Sequence, residues 1–471
     1  MRRSQPSYSY PDLSRVQKCV IAYRLTNTIS STKLCSTFVK QSLECRLFNL
    51  NSSTDLIFSD NGIIHRSFSR KVSDIVLGIE TSCDDTGCAI VDNNGTVLGE
   101  ALKSQQQIHI KYGGIIPPIA RDLHLQNIKT VVEDALEKAK IQISDVDAIA
   151  TTVKPGLPLS LLVGLNYGKS LSSKFRKPFI PIHHMEAHAL TVRMVQKVDF
   201  PFLVLLISGG HCLLAIAKSI DKFLLLGQSL DDAPGEAFDK AARRLKLRNL
   251  PEFRNLSGGQ AIELAASKST NPGAFTFPTI LAHCRDCNFS VAGLKNKLRK
   301  HIITQEEIHG VEGDELIPDV FNLCADFQMA ITRHICQRLQ RGMEFIALRN
   351  LLPEESKTLV VSGGVACNGF IKRALDLVCQ DMGYLLAVPP PNLCTDNGIM
   401  IAWNGMERWK AQIGIAEDLD SVDIDSKSPF GDNWTEEVTK ANIKCKWIKL
   451  RSLYDPQIEN RQKREAAICD T

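Results

Sequence analysis

Two apolar runs in this chain of 471 residues lead into the same tripeptide: Phe202 to Ile207 precedes Ser208-Gly209-Gly210, and Thr358 to Val361 precedes Ser362-Gly363-Gly364. A short apolar run bounded by a turn reads as a buried strand. Glycines at its end let the backbone turn tightly and leave amide N–H groups that no side chain shields from a phosphate. The recurrence suggests one module used twice. A chain of this length exceeds the needs of one core, so an α/β protein of two lobes with a central cleft is expected.

The rest of the pattern agrees. Ile75 to Ile79 reads as a strand, Glu80 to Thr86 as a polar turn and Cys88 to Val91 as a second strand, closed by Asp92-Asn93-Asn94-Gly95. This hairpin carries hydroxyls and carboxylates at its tip. From Asp122, the residues Leu125, Ile128, Val131, Val132, Ala135, Leu136 and Ala139 keep a helical period. Val146 to Thr151 reads as a strand, and Pro158 to Lys174 as a helix whose Gly164 and Gly168 permit close packing. Leu230 to Lys240 sets four acids around a Pro-Gly turn that opens a helix running through Arg244. Asp239, one turn inside, is either an acceptor for ribose hydroxyls or a solvated acid favoured by the helix dipole. Gly113-Gly114 and Gly258-Gly259 join the two S-G-G turns as close-approach sites beside strand or helix ends, which together favour a nucleotide cleft.

Hydrophobic residues at 44% and charged residues at 23% suit an ordinary globular chain, and no apolar run is long enough to span a bilayer. The opening segment differs. Up to Leu43 it holds Arg2, Arg3, Arg15, Lys18, Arg24, Lys33 and Lys40 against Asp12 alone, with many serines. That is the composition of a mitochondrial transit peptide, the alternative being a basic arm that binds nucleic acid. The segment's net charge of +6, set against a formal +4 for the whole, leaves the remainder near −2. Nucleic-acid binding by the folded part must therefore use a local patch. Fifteen cysteines are scattered rather than clustered, as expected of reduced thiols, and Cys284-x-x-Cys287 has no second ligand pair at zinc-site spacing.

His184 and His188 lie four residues apart and face one side of a helix, as two ligands of one metal require. Core packing alone also produces such pairs. Asp396, on a Gly-flanked loop before a helix over Gly398 to Trp409, can supply a third ligand. A zincin H-E-x-x-H places glutamate beside the first histidine, whereas Glu186 stands two residues from both and falls on the far side.

Seven ordered strings carry a resemblance: L-G-I-E-T-S-C-D-D-T-G from Leu77, Y-G-G-I-I-P from Tyr112, H-H-M-E-A-H from His183, S-G-G-H from Ser208, D-D-A-P-G-E-A-F-D-K from Asp231, S-G-G-V-A-C-N from Ser362 and C-T-D-N-G-I-M-I-A-W from Cys394. From about Ile75 to Trp409 the chain resembles the tRNA N6-adenosine threonylcarbamoyltransferase family, and its basic leader resembles that of the mitochondrial branch. The resemblance implies the two-lobed fold of the actin, hexokinase and heat-shock ATPase superfamily (ASKHA). It implies transfer of a threonylcarbamoyl group from threonylcarbamoyl-AMP to N6 of the adenosine 3′ of the anticodon, in mitochondrial tRNAs reading codons that begin with A. It further implies that His184, His188 and Asp396 bind one divalent metal ion, iron or zinc, and that Leu206, Ile207, Ser208, Gly209, Gly210, Asp239, Gly259 and Asn368 hold the adenylate. Asp84, ahead of Asp85, is the expected catalytic carboxylate. The implied partners are tRNA, a separate threonylcarbamoyl-AMP synthase and a second copy of the chain, with no membrane.

Lys154 before Pro155-Gly156-Leu157, and Phe289 to Gly293, depart from the family pattern without touching a proposed ligand. The expected division is a leader over 1–72, an N-terminal lobe over 73–200, a C-terminal lobe over 201–432 and a basic tail over 433–471. That tail, with Lys444, Lys446, Lys449, Arg451, Arg461, Lys463 and Arg464 around Trp447, is either solvated or a tRNA contact. The rival functions are an ATPase or kinase of the same superfamily, a metallopeptidase, and a non-catalytic nucleotide-binding subunit.

Overall fold

β1 (Ile75–Glu80), β2 (Asp85–Asp92) and β3 (Val97–Ser104) form an antiparallel meander, and β4 (Ala148–Lys154) and β5 (Phe179–His183) add in parallel beside β1. The sheet order is β3-β2-β1-β4-β5. A second meander of β6 (Phe202–Ile207), β7 (Cys212–Ala217) and β8 (Phe223–Gln228) is joined in parallel by β9 (Thr358–Ser362) and β10 (Leu385–Ala387) beside β6, while β11 (Asp432–Asn433) extends the β8 edge. These elements come from a computed structural model, which describes residues 73–112, 114–450 and 453. The leader over 1–72, Gly113, and Arg451, Arg461, Lys463 and Arg464 of the tail lie outside the described residues.

The two five-strand patterns coincide strand for strand, so one α/β module is used twice. The S-G-G turns do not mark its two copies, however. β6 and β9 are neighbours in one sheet, with Leu206 opposite Ser362, and their counterparts β1 and β4 end in Glu80-Thr81-Ser82 and Lys154-Pro155-Gly156. The tripeptide labels the two central parallel strands of the second copy.

Each sheet is covered on both faces, which is why its strands read as apolar runs rather than alternating ones. Leu77, Ile79 and Ile90 face helices Pro117–Ala139 and Pro158–Phe175 through Ile128, Val131, Val132, Val163 and Leu165. The first of these helices starts at Pro117 rather than Asp122, because proline suits a position whose N–H has no intrahelical partner. On the second sheet, Leu203, Leu205 and Ile207 face helices Pro234–Arg244, Gly258–Ser267 and Val320–Arg349. Two helices fill the layer between the sheets. His184–Leu190 packs Met185, Ala189 and Leu190 on Val204, Leu206 and Val360, while its Ala187 joins Ile399, Met400 and Ala402 of Gly398–Ala411 against Val76, Ala89 and Ile182.

The helix Gly398–Ala411 comes from the expected second lobe yet lies on the first sheet, followed by Ala416, Leu419, Val422 and Ile424 in the first sheet's core. Glycines allow its approach. A Cβ on Gly78 would lie 2.2 Å from the Ala402 amide nitrogen, one on Gly87 2.7 Å from that of Gly398, and one on Gly398 2.4 Å from the Cys88 carbonyl carbon.

The tail through Leu450 is docked rather than solvated. Gln340 bonds the backbone at Lys446 and Ile448, the Arg341 guanidinium lies 5.0 Å from the Trp447 ring centroid, and Leu450 is buried in the second core. One face of Trp447 is thus already taken. The eleven described cysteines are free thiols, and the Cys284 and Asp286 carbonyls accept hydrogen bonds from Arg338 and Arg341. No described helix is long and apolar enough to cross a membrane.

Replacing Gly398 by alanine forces the helix off the hairpin and should lower stability by about 1–3 kcal/mol, as other overpacked sites do. Gly364→Ala, whose Cβ meets nothing within 4 Å, should change it by less than about 0.5 kcal/mol. Urea denaturation of the two variants beside the parent chain checks the contrast.

Candidate metal centre

His183 ends β5, and its Nδ1 caps the next helix by accepting from the Met185 amide at 3.2 Å, so its Nε2 faces the Pro429 carbonyl. It is a cap, which leaves His184 and His188 one helical turn apart on the same face. Across from them stands Asp396, fixed by its neighbour Asn397, whose side chain caps helix Gly398–Ala411 through the Met400 amide and donates to the Thr395 carbonyl. His188 Nε2 lies 3.0 Å and His184 Nε2 3.5 Å from Asp396 Oδ1, and the two rings meet edge to face at 4.7 Å. Ligands bound at ~2.1 Å and separated by roughly 90–110° stand about 3.0–3.4 Å apart. One small divalent cation therefore fits this donor set with only slight movement, and among the described residues it is the one His/Cys/Asp/Glu group so arranged.

Sequence reasoning missed what holds His184. Glu80, fully buried at the end of β1, accepts from the Ser82 amide at 2.5 Å and Thr152 Oγ1 at 2.6 Å, and its Oε2 lies 3.2 Å from His184 Nδ1. With Nδ1–H donated to that carboxylate, the Nε2 lone pair points at the Asp396 side of the site, the usual support of a metal-binding imidazole. Burial alone would lower the His184 pKa, but the charges of Asp396 and Glu80 outweigh it and hold the ring at about 9. Burial would likewise raise Asp396; the imidazoles of His184 and His188 reverse this and keep it well below the carboxylate range.

The hairpin acids divide. Asp84 is raised by burial and then by the charge of Asp396, so it borders the metal centre. Asp85 is raised to about 7 by burial and by Asp84, while Ser104 of β3 bonds it. Glu186 is turned away and held by Arg408 at 2.5 Å, which removes it as a base for metal-bound water. His211, at the end of the S-G-G-H string, is lowered to about 4 by burial and then by the charge of His184.

The expected adenylate residues lie along one contact chain of the second sheet. Leu206 and Ile207 are buried at the end of β6. A Cβ on Gly235 would meet Ser208 and Gly209 within 3 Å, so helix Pro234–Arg244 starts directly on the turn, and Gly363, at φ +99°, abuts the Ile207 carbonyl. Asp239 accepts from the backbone at Gly258 and Gly259, and Glu263 of the same helix accepts from Gly369 beside Asn368. Gly209, Gly210, Gly259 and Gly364 all border open space. Two expectations narrow. Ser208 Oγ already accepts from the Gly210 and His211 amides, and Asn368 caps helix Gly369–Met382 while donating to Gln328.

Residues 96–403 match the family model described as tRNA N6-adenosine threonylcarbamoyltransferase. This chain belongs to that family. Among its relatives, the mouse (Mus musculus) tRNA N6-adenosine threonylcarbamoyltransferase, mitochondrial, is 50% identical over 80% of this chain and 91% of its own. The Drosophila melanogaster protein, named as the probable mitochondrial enzyme, is 45% identical over 83% of this chain and 98% of its own. A bacterial transferase from Rhizobium leguminosarum is 39% identical over 76% and 94%. The match spans H-M-E-A-H and T-D-N-G alike, so His184, His188 and Asp396 all fall inside the matched region.

Because a cation must displace the His184 proton, metal binding at pH 7 should release about one proton, and affinity should fall about tenfold per pH unit on acidification below pH 9. Calorimetry of the metal-free chain in buffers of differing ionisation enthalpy measures this directly. Glu80→Gln should weaken metal affinity roughly 10–100-fold in chelator competition.

Proposed function

We infer that this chain is the mitochondrial transferase that moves a threonylcarbamoyl group from threonylcarbamoyl-AMP onto N6 of the adenosine 3′ of the anticodon, in tRNAs reading codons that begin with A. The observation that carries the reading is the convergence of His184, His188 and Asp396 against the S-G-G-H turn, inside a chain that belongs to this family. The mitochondrial names of the relatives and the basic leader support the address.

His184, His188 and Asp396 would hold one divalent ion, with two imidazoles and one carboxylate suiting iron or zinc. When bound, such an ion supplies Lewis-acid polarisation of a donor oxygen. The protein's own groups do the rest. The open glycine turns at Gly209-Gly210 and Gly364 let phosphate approach backbone, with Asp239 and Gly259 placed for the ribose and Asn368 fixing the second turn. Leu206 and Ile207 form the buried floor beneath. The half-buried hairpin tip would limit the water able to hydrolyse the mixed anhydride. The N6 amine attacks the carbamoyl carbon, the new C–N bond replaces the bond to the phosphate oxygen, and AMP departs. Asp84, raised by burial and facing the centre, takes the proton the amine loses. A separate synthase would supply the donor, and two copies of this chain would form the working unit.

Incubation with threonylcarbamoyl-AMP and an unmodified A-codon-reading tRNA should yield threonylcarbamoyladenosine, scored by mass spectrometry of tRNA nucleosides. His184→Ala and Asp396→Ala should lose at least a hundredfold in rate, the scale on which lost electrostatic stabilisation is felt. Equal modification by all three chains would remove the metal centre from the reaction.

A further inference from the structure

The folded part of the chain is close to neutral, so a polyanion needs a concentrated patch. Helix Ala292–His309 provides one. Leu294, Leu298 and Ile302 occupy its buried face, and Lys295, Lys297, Arg299 and Lys300 fan over the solvent side with no acid between them. Beside it, helix Pro234–Arg244 and the turn that follows carry Lys240, Arg243, Arg244, Lys246 and Arg248, again without an intervening acid.

Ion pairs absorb only part of this charge. Asp232 takes Lys240 and Lys295, and Glu306 takes Arg244 and Lys246, which also staples the two helices together. Lys297, Arg299 and Lys300 are exposed and form no ion pair among the described residues, and Arg243 and Arg248 lie in the field of Asp239. The patch is tied to the cleft. Asp231 accepts from the Val291 and Ala292 amides at the start of the basic helix, and three residues further on the Pro234–Arg244 helix begins against the S-G-G turn. Between the cations and the glycine turn stand Asp231, Asp232 and Glu236, and each is already engaged: Asp231 by the Val291 and Ala292 amides, Asp232 by Lys240 and Lys295, and Glu236 by Lys240.

We propose that the first half of helix Ala292–His309, with Arg243 and Arg248, is the surface that grips the tRNA phosphate backbone while the target adenosine enters the cleft. This rests on the transferase reading and gives it a docking site. It also relieves the C-terminal segment of that role, since Trp447 is stacked on Arg341 and docked on the second lobe. Phosphate contacts of this kind position the nucleic acid and set the salt dependence of its binding.

The test measures binding of an unmodified, fluorescently labelled tRNA transcript to the full chain across a salt series. The combined variant Lys297→Ala/Arg299→Ala/Lys300→Ala is compared with Lys444→Ala/Lys446→Ala/Lys449→Ala, and thermal melting confirms that both fold. The helix variant should bind at least ten times more weakly at ~0.15 M salt, with a log–log salt slope shallower by about two to three. Its KM for tRNA should rise at unchanged kcat, and the tail variant should match the parent. A helix variant with unchanged affinity and slope, or a loss confined to the tail variant, overturns the proposal. A parent chain that binds no tRNA at any salt overturns the transferase reading first and this surface with it.

Discussion

How near helix Gly398–Ala411 can come to the β1–β2 hairpin decides where Asp396 stands, and the approach is set by atoms that are missing. Gly78 and Gly87 on the strands meet Gly398 and Ala402 on the helix backbone to backbone, and Gly405 nests on Ala150 of β4. Any side chain at these contacts would hold the helix off by more than an ångström. Asp396 lies two residues before the helix, so its carboxylate would move with it. The 3.0 Å contact with His188, made across 208 residues of sequence, is thus a consequence of backbone packing. The same buried interface offsets the entropy of closing so long a loop.

Around that contact the charges are arranged to want a cation. Glu80 is fully buried and Asp84 and Asp396 are half-buried, and against the effect of burial the charge of His184 lowers both Glu80 and Asp396. Buried carboxylates without compensation are costly, and here the compensation is a proton on His184. A divalent ion satisfies the same field with more charge and fixed geometry. With its Nδ1 side held by Glu80, His184 would present Nε2 to such an ion.

The His184/His188 spacing and the apolar strands were legible because both are periodic: four residues make a turn, and a doubly covered strand is apolar throughout. Asp396 was legible only as a candidate, since its partner is fixed by packing that no local pattern encodes. Glu80 was hidden for the opposite reason. It stands last in an apolar strand and looks like part of a polar turn, and its burial depends on Thr152 from the neighbouring parallel strand. The S-G-G repeat was real as sequence but led to the wrong pairing, because its two copies end adjacent parallel strands of one sheet. β3 was missed since its exposed Glu100, Lys103 and Ser104 dilute the strand signal at a sheet edge.

The doubled module explains why a metal and glycine turns meet at all. In a parallel arrangement the carboxyl ends of the strands lie on one side, where ligands bind in open α/β sheets. β1 ends at Glu80, β5 at His183, β6 at Ile207 and β9 at Ser362, so four of the quoted strings lie at the end of a parallel strand, whereas Asp396 follows the short helix Pro391–Cys394. Two copies of the module, packed through His184–Leu190 and Gly398–Ala411, bring both sets of ends to one junction. The copies have diverged in what those ends carry: the first has Glu80 and the histidines after β5, and the second has the glycine turns. In the proposed transfer the two sets would act together, one on an oxygen of the donor and the other on its phosphate.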